Sequence, residues 1–131
     1  MKRKILFYTD CPFFGGCENM LAVLLNSPEL REAYEVSLLY RASEAYSEAV
    51  KRKFDAGVSA VPLNIPGTWE WGKPPNLFRA LRKRAVQALH FLYALVLLYK
   101  VFRKIKPDIL HVNNGGYPGA LSCLAAVIAA H

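Results

Sequence analysis

The hydrophobic pattern is densest near the start of the chain, where Ile5, Leu6, Phe7, Tyr8 and Thr9 run without a polar interruption. An unbroken, β-prone run of this length predicts a strand buried on both faces of a parallel sheet. Residues 10–14 read as a turn. Gly15-Gly16 then lead into a helical stripe of Met20, Leu21, Leu24 and Leu25. Asn26-Ser27-Pro28 breaks that stripe, and Ser27 with Pro28 is suited to cap a short second helix. A second strand is predicted at 36–40, a helix from Ser43 or Glu44 to Phe54 ended by Gly57, and a third strand at 58–63. Residues 64–76 form a loop rich in Pro and Gly, long for a compact domain and of a length that commonly carries function. One long helical pattern follows from 77 to about 105, then a fourth strand at 108–112, a glycine turn at 113–118 and a small-residue helix at 120–130.

Strands that alternate with helices predict an α/β fold: a Rossmann-like parallel sheet with flanking helices in one domain spanning 1–131. Right-handed crossovers make the strand order 3-2-1-4 the economical topology. That order puts the switch point between the first and fourth strands. The Gly15-Gly16 turn and the turn from Asn113 to Gly116 then face one crevice at the carboxyl edge. A helix N-terminus in such a place presents free N–H groups and a positive dipole end to anions. Glycine there lets a ligand approach the backbone closely and permits positive φ.

Composition sharpens this picture. Hydrophobic residues make up 53% of the chain, which excludes disorder. The net charge of +7 favours anionic partners such as acidic lipid or phosphorylated substrates. Nucleic acid is not expected, because the basic clusters are not interleaved with aromatics as a single-strand groove requires. Cys11, Cys17 and Cys123 form no CxxC and read as reduced thiols, pointing to a cytoplasmic protein. Cys11 and Cys17 flank the glycine turn, where small packing residues are the expected reading and a redox role the other. Lys2-Arg3-Lys4 leads straight into the first strand with no cleavage-site pattern, so no signal peptide is expected.

Two segments carry a family resemblance. Pro12-x-x-Gly15-Gly16-x-Glu18 after a first strand resembles the opening of retaining glycosyltransferases of family 4, which have the two-domain GT-B fold. Lys106-Pro107-Asp108-Ile109-Leu110-His111-Val112-Asn113-Asn114 resembles the fourth strand of the same family, often written P-D-[IV]-[IV]-H-x-H. The resemblance implies an N-terminal, acceptor-side domain, an incomplete N-terminal half of a GT-B fold. Gly15 and Gly16 would be backbone donors to the diphosphate of a nucleotide-sugar, and Glu18 would border the interdomain cleft. It implies neither cofactor nor metal, with the nucleotide-sugar as substrate and a glycan or lipid-linked molecule as acceptor. The fifth strand and the donor-binding domain are not in this sequence. The chain is therefore expected to be inactive alone and to need a C-terminal domain or partner chain. No catalytic residue is assigned. Asn113 stands where the family often carries a second histidine, and an amide hydrogen-bonds but does not titrate.

Other features are weighed on their chemistry. Gly67 to Lys73 spells G-x-x-x-x-G-K, but Pro74-Pro75 follows where a P-loop needs a hydroxyl and helix N–H groups, so a P-loop is rejected. Glu18 also fits a carboxylate that compensates a helix dipole. His111 reads as a satisfied core histidine. Asn113, Asn114, Trp69 and Trp71 are candidates to line the cleft or the acceptor site. The tryptophans equally suit a lipid interface or a place over the core.

The long helix is unusually apolar. From Ala85 to Tyr99 only Gln87 and His90 interrupt it. That stretch rises ~22 Å against ~30 Å of hydrocarbon, which disfavours a transmembrane span. Arg79, Lys83, Gln87, His90 and Lys104 share one side, interrupted by Val86, Leu97 and Val101. With that side exposed, Arg79, Arg82, Lys83, Lys100, Arg103 and Lys104 would meet an anionic membrane surface at headgroup level, as a peripheral protein at the inner face. Leu97 and Val101 would then lie away from the sheet, with Ala88 and Leu95 toward it. The other reading packs the helix on the sheet beneath an element outside this sequence.

The expected function is thus that of the N-terminal domain of a retaining glycosyltransferase. The alternatives are a non-catalytic nucleotide- or phosphate-binding Rossmann module, or a membrane-docking subunit of a split transferase.

Overall fold

The computed structural model describes residues 2–11, 13–65, 77–113 and 121–131. The elements follow in the order β1 (Arg3–Thr9), α1 (Gly16–Asn26), α2 (Pro28–Ala33), β2 (Tyr34–Arg41), α3 (Glu44–Lys53), β3 (Ser59–Leu63), α4 (Leu77–Ile105), β4 (Ile109–Asn113) and α5 (Leu121–Ala130). The four strands pair in parallel in the order β3-β2-β1-β4. This is the α/β, Rossmann-like arrangement that the strand–helix alternation predicts.

Local sequence explains the boundaries. The Ser27 hydroxyl accepts from the Leu30 N–H at 3.3 Å, and Pro28 occupies the first turn of α2, where a missing N–H costs nothing. The Ser43 hydroxyl caps α3 by accepting from the Tyr46 N–H at 3.1 Å. Pro62 lies in β3, an edge strand, where a lost ladder donor is tolerated. Helix α4 ends at Lys106, which has positive φ (51°) and whose N–H donates to the Phe102 carbonyl at 2.7 Å. Asp108 then fastens the start of β4 to β1. Its carboxylate accepts from the Lys4 N–H at 2.7 Å, and its own N–H donates to the Lys4 carbonyl at 2.9 Å.

Alternation along β1 divides the core. Ile5 and Phe7 face α1 and α3, packing with Leu21, Leu25, Val36, Leu38, Tyr46 and Val50. Leu6 and Tyr8 face α4 and α5, packing with Leu39, Ala94, Leu98, Phe102, Ala125 and Ala126. The alanines of α5 let α4 approach it closely.

Two sequence expectations are corrected here. His111 is exposed, not a core residue. It lies beside Phe7 with ring centroids 5.0 Å apart, on the face covered by α1 and α3. Those helices lie over β1 and β2, and among the described residues no helix covers β4 on that side. Helix α4 is rotated from the reading of its polar stripe. Ala94, Leu98 and Phe102 are its buried residues; Leu95 packs against the core as expected, but so do Leu97 and Val101, while Ala88 is exposed. Lys83, Gln87 and His90 lie on this inner side, half-buried. The seam of Ala94, Leu98 and Phe102 against α5 and the sheet sets the rotation of a helix that is apolar on nearly every side.

Asp108→Ala removes the carboxylate that receives the Lys4 N–H. Stability should fall by about 1.5 kcal/mol, measured by urea unfolding, with the parallel order retained.

Candidate functional site at the carboxyl edge of the sheet

The ends of β1 and β4 meet where Thr9 pairs with Asn113. Glu18, in the first turn of α1, is buried between them, 1% exposed. Its Oε1 accepts from the Thr9 hydroxyl at 3.3 Å and from the Asn113 side-chain amide at 3.4 Å, and its Oε2 accepts from the Gly15 N–H at 3.2 Å. The last contact is half of a capping box, in which the residue three positions into the helix reaches back to the N-cap. Glu18 therefore compensates the helix dipole and also joins three elements at the switch point. It is covered rather than open to a cleft.

The two glycines differ in what they offer. Gly15 has φ −111°, and its N–H is already held by Glu18. Gly16 is exposed, and a Cβ added to it would meet nothing within 4 Å. Neither backbone is left-handed, so the positive φ that glycine permits is not used at this pair. At Gly15 a Cβ would stand 3.4 Å from the Phe13 ring and 3.5 Å from Glu18 Oε2, ordinary contact distances. The fold by itself thus requires glycine at neither position. Asn113 is half-buried beside Glu18, as the pairing of the two motifs predicts. Trp69, Trp71, Asn114 and the Gly115-Gly116 turn lie outside the described residues.

A second polar group, which the sequence reading did not pick out, lies on the opposite face of the same edge. Asp10 and Arg41, one residue past the last paired positions of β1 and β2 or at their limit, are both buried. Arg41 Nη1 stands 3.3 Å from Asp10 Oδ1, and its Nε donates to the Ile65 carbonyl at 3.2 Å. The Ser122 hydroxyl, in α5, donates to Asp10 Oδ2. The Tyr8 hydroxyl is buried on this face with no hydrogen-bond partner among the described residues. Burial raises the Asp10 carboxyl above its ordinary range, against the opposing pull of Ser122 and Arg41. Burial, with Asp10 nearby, also lifts the Tyr8 phenol far above its usual value. A signal was present in the sequence: opposite charges directly follow two apolar runs, at neighbouring positions of adjacent strands.

The thiols are not alike. Burial pushes Cys11 up to about 12, reinforced by the Glu18 carboxylate, and Cys11 packs against the α1/α3 core. Burial likewise pushes Cys123 up to about 12. Cys17 is exposed on α1, so it is not a packing residue. Among the described residues no group of three His, Cys, Asp or Glu side chains is arranged to hold a metal ion.

Comparison of the chain with models of known families, with characterised proteins and with solved structures finds no match.

These environments give two outcomes. An aromatic disulfide reagent at neutral pH should modify one thiol of the native protein rapidly, at Cys17, with Cys11 and Cys123 reacting only on unfolding. Cys11 and Cys123 hold their protons to higher pH when folded than when unfolded. Their stabilising contribution is intact below about 8.5 and is lost as pH rises toward 12, so urea unfolding across that interval should show falling stability. The buried pair gives another. Arg41→Ala should cost about 3–5 kcal/mol, because it strands a buried carboxylate, whereas the double change Asp10→Asn with Arg41→Met should cost less than the single one in the same assay.

Proposed function

We propose that this chain is the N-terminal, acceptor-side domain of a retaining glycosyltransferase that moves a sugar from a nucleotide-sugar donor to an acceptor. The supporting observation is the contact between Glu18 and Asn113, which are 95 residues apart in sequence and 3.4 Å apart across the switch point. The two segments that resemble the family therefore meet at one sheet edge. Open α/β sheets bind ligands at such a point, outside the carboxyl ends of the strands.

In this reading the exposed N–H groups of Gly16 and the residue after it face the donor diphosphate. The positive end of α1 stabilises the charge that builds on the leaving group. Gly15 acts indirectly, its N–H held by Glu18 so that the turn keeps its shape. Asn113 offers a side-chain amide at the rim. Glycine at position 16 serves close approach by a ligand, since nothing in the fold occupies the space of a Cβ there. A second domain or chain supplies most of the nucleotide contacts, and a glycan or lipid-linked molecule is the acceptor. No metal or other cofactor is assigned.

The chain alone should therefore transfer no sugar, and it should bind nucleotide-sugars weakly, with a Kd on the order of millimolar. An amide-resolved NMR titration with uridine, guanosine and adenosine diphosphate sugars checks this. Shifts should centre on Gly16, Cys17 and Asn113. Gly16→Ala should keep or raise the melting temperature, because alanine is the better helix residue by about 1 kcal/mol, and should abolish those shifts. Shifts that survive the substitution, or that centre on the far edge of the sheet, overturn the assignment of this site.

A further inference from the structure

Helix α4 is longer than the domain it packs on. Its 29 residues span ~43 Å, whereas the eight residues of β2 span ~26 Å. The C-terminal end is fixed, because Ile109 begins β4 four residues after Ile105. The excess length therefore lies at the N-terminal end and carries α4 past the carboxyl edge of the sheet. Burial agrees: Ala94, Leu98 and Phe102 are buried, and residues 77–93 include none that is.

The outward side of this helix is apolar. Phe78, Leu81, Leu89, Leu92, Val96 and Tyr99 recur at helical spacing, and each is more than half exposed. Such a stripe is far beyond the scattered exposed leucines normal for a soluble surface. The charge around it has one sign. Helix α4 has no Asp or Glu, and Arg82, Arg84, Lys100, Arg103 and Lys104 are exposed toward its two ends. The Arg103 guanidinium lies 5.9 Å from the centre of the Tyr99 ring, at the border of the two zones.

By length and composition α4 is apolar enough to cross a membrane. Its inner side is nevertheless packed on α5 and the sheet, so a span would carry the polar domain into the hydrocarbon. A helix with one side committed to a folded core and the other apolar, bounded by cations, fits the plane of the interface instead. We propose that α4 docks this domain on an anionic lipid bilayer, with the Phe78-to-Tyr99 stripe among the acyl chains and the flanking lysines and arginines at the phosphates. Charge complementarity selects the occupant. An apolar protein partner or a second copy would cover the stripe equally well, but it would not call for a helix with cations at both ends and no acid anywhere. The inference stands apart from the transferase reading, because it uses neither the glycine turn nor a nucleotide.

The test is flotation of the 131-residue chain with phosphatidylcholine vesicles, with and without phosphatidylglycerol, at low and high salt. Binding should require phosphatidylglycerol and weaken as salt rises. The pair Leu89→Glu with Leu92→Glu should abolish it while leaving the circular dichroism spectrum unchanged, because both side chains point to solvent. Replacing Lys100 and Lys104 with glutamine should weaken binding by roughly fivefold for each charge. Equal binding to neutral vesicles overturns the role of the cations. No binding to either vesicle overturns the proposal, as does a dimer that the glutamate pair turns into monomers without any lipid binding. Nucleotide-induced NMR shifts at Gly16 report on the separate transferase reading, so either can fail alone.

Discussion

Strand β1 is hydrogen-bonded along both edges and buried on both faces, and every other element is placed by that fact. Ile5 to Thr9 are all buried, and their backbone groups must find partners inside the protein. The parallel ladders to β2 and β4 supply those partners. Once they form, the alternation of side chains along β1 assigns one helical layer to each face. Burying a large apolar side chain contributes roughly 1.5–3 kcal/mol, so this short strand anchors much of the core.

The same arrangement concentrates polar chemistry at one edge. Where the strands end, polar groups begin, and two of them are buried rather than solvated. Glu18 holds the turn before α1 against β1 and β4 on one face. Asp10, Arg41 and Ser122 join β1, β2 and α5 on the other. Buried charges are costly unless partnered, and both groups draw their partners from more than one element. The exposed helix N-terminus at Gly16 lies beside the first of these groups.

Helix α4 shows how one seam can settle the exposure of a whole surface. Ala94, Leu98 and Phe102 are buried on α5 and the sheet, with Phe91, Leu95, Leu97, Val101 and Ile105 packed beside them. The remaining apolar residues of a helix that is hydrophobic nearly all round must then face outward. The polar residues Lys83, Gln87 and His90 are turned toward the core side as a consequence, half-covered rather than solvated.

Most of the fold was legible in the sequence, because it is written in local signals. The β1 run, the caps at Ser27 and Ser43, and the break at Lys106-Pro107 act within a few residues and need no tertiary context. The strand order followed from alternation and the handedness of crossovers. The site was legible in part: motif order placed Glu18 and Asn113 at one edge, but not the fact that Glu18 already holds the Gly15 N–H. The burial of the Asp10–Arg41 pair was not legible, because burial of a charge is decided by its partner, here on another strand. The exposure of His111 depends on which strands the helices cover. The rotation of α4 depends on which of its apolar sides meets α5, and a helix apolar on nearly every side holds no periodic signal to decide between them. Sequence determined the elements and their order; contacts between elements distant in the chain decided which surfaces they show.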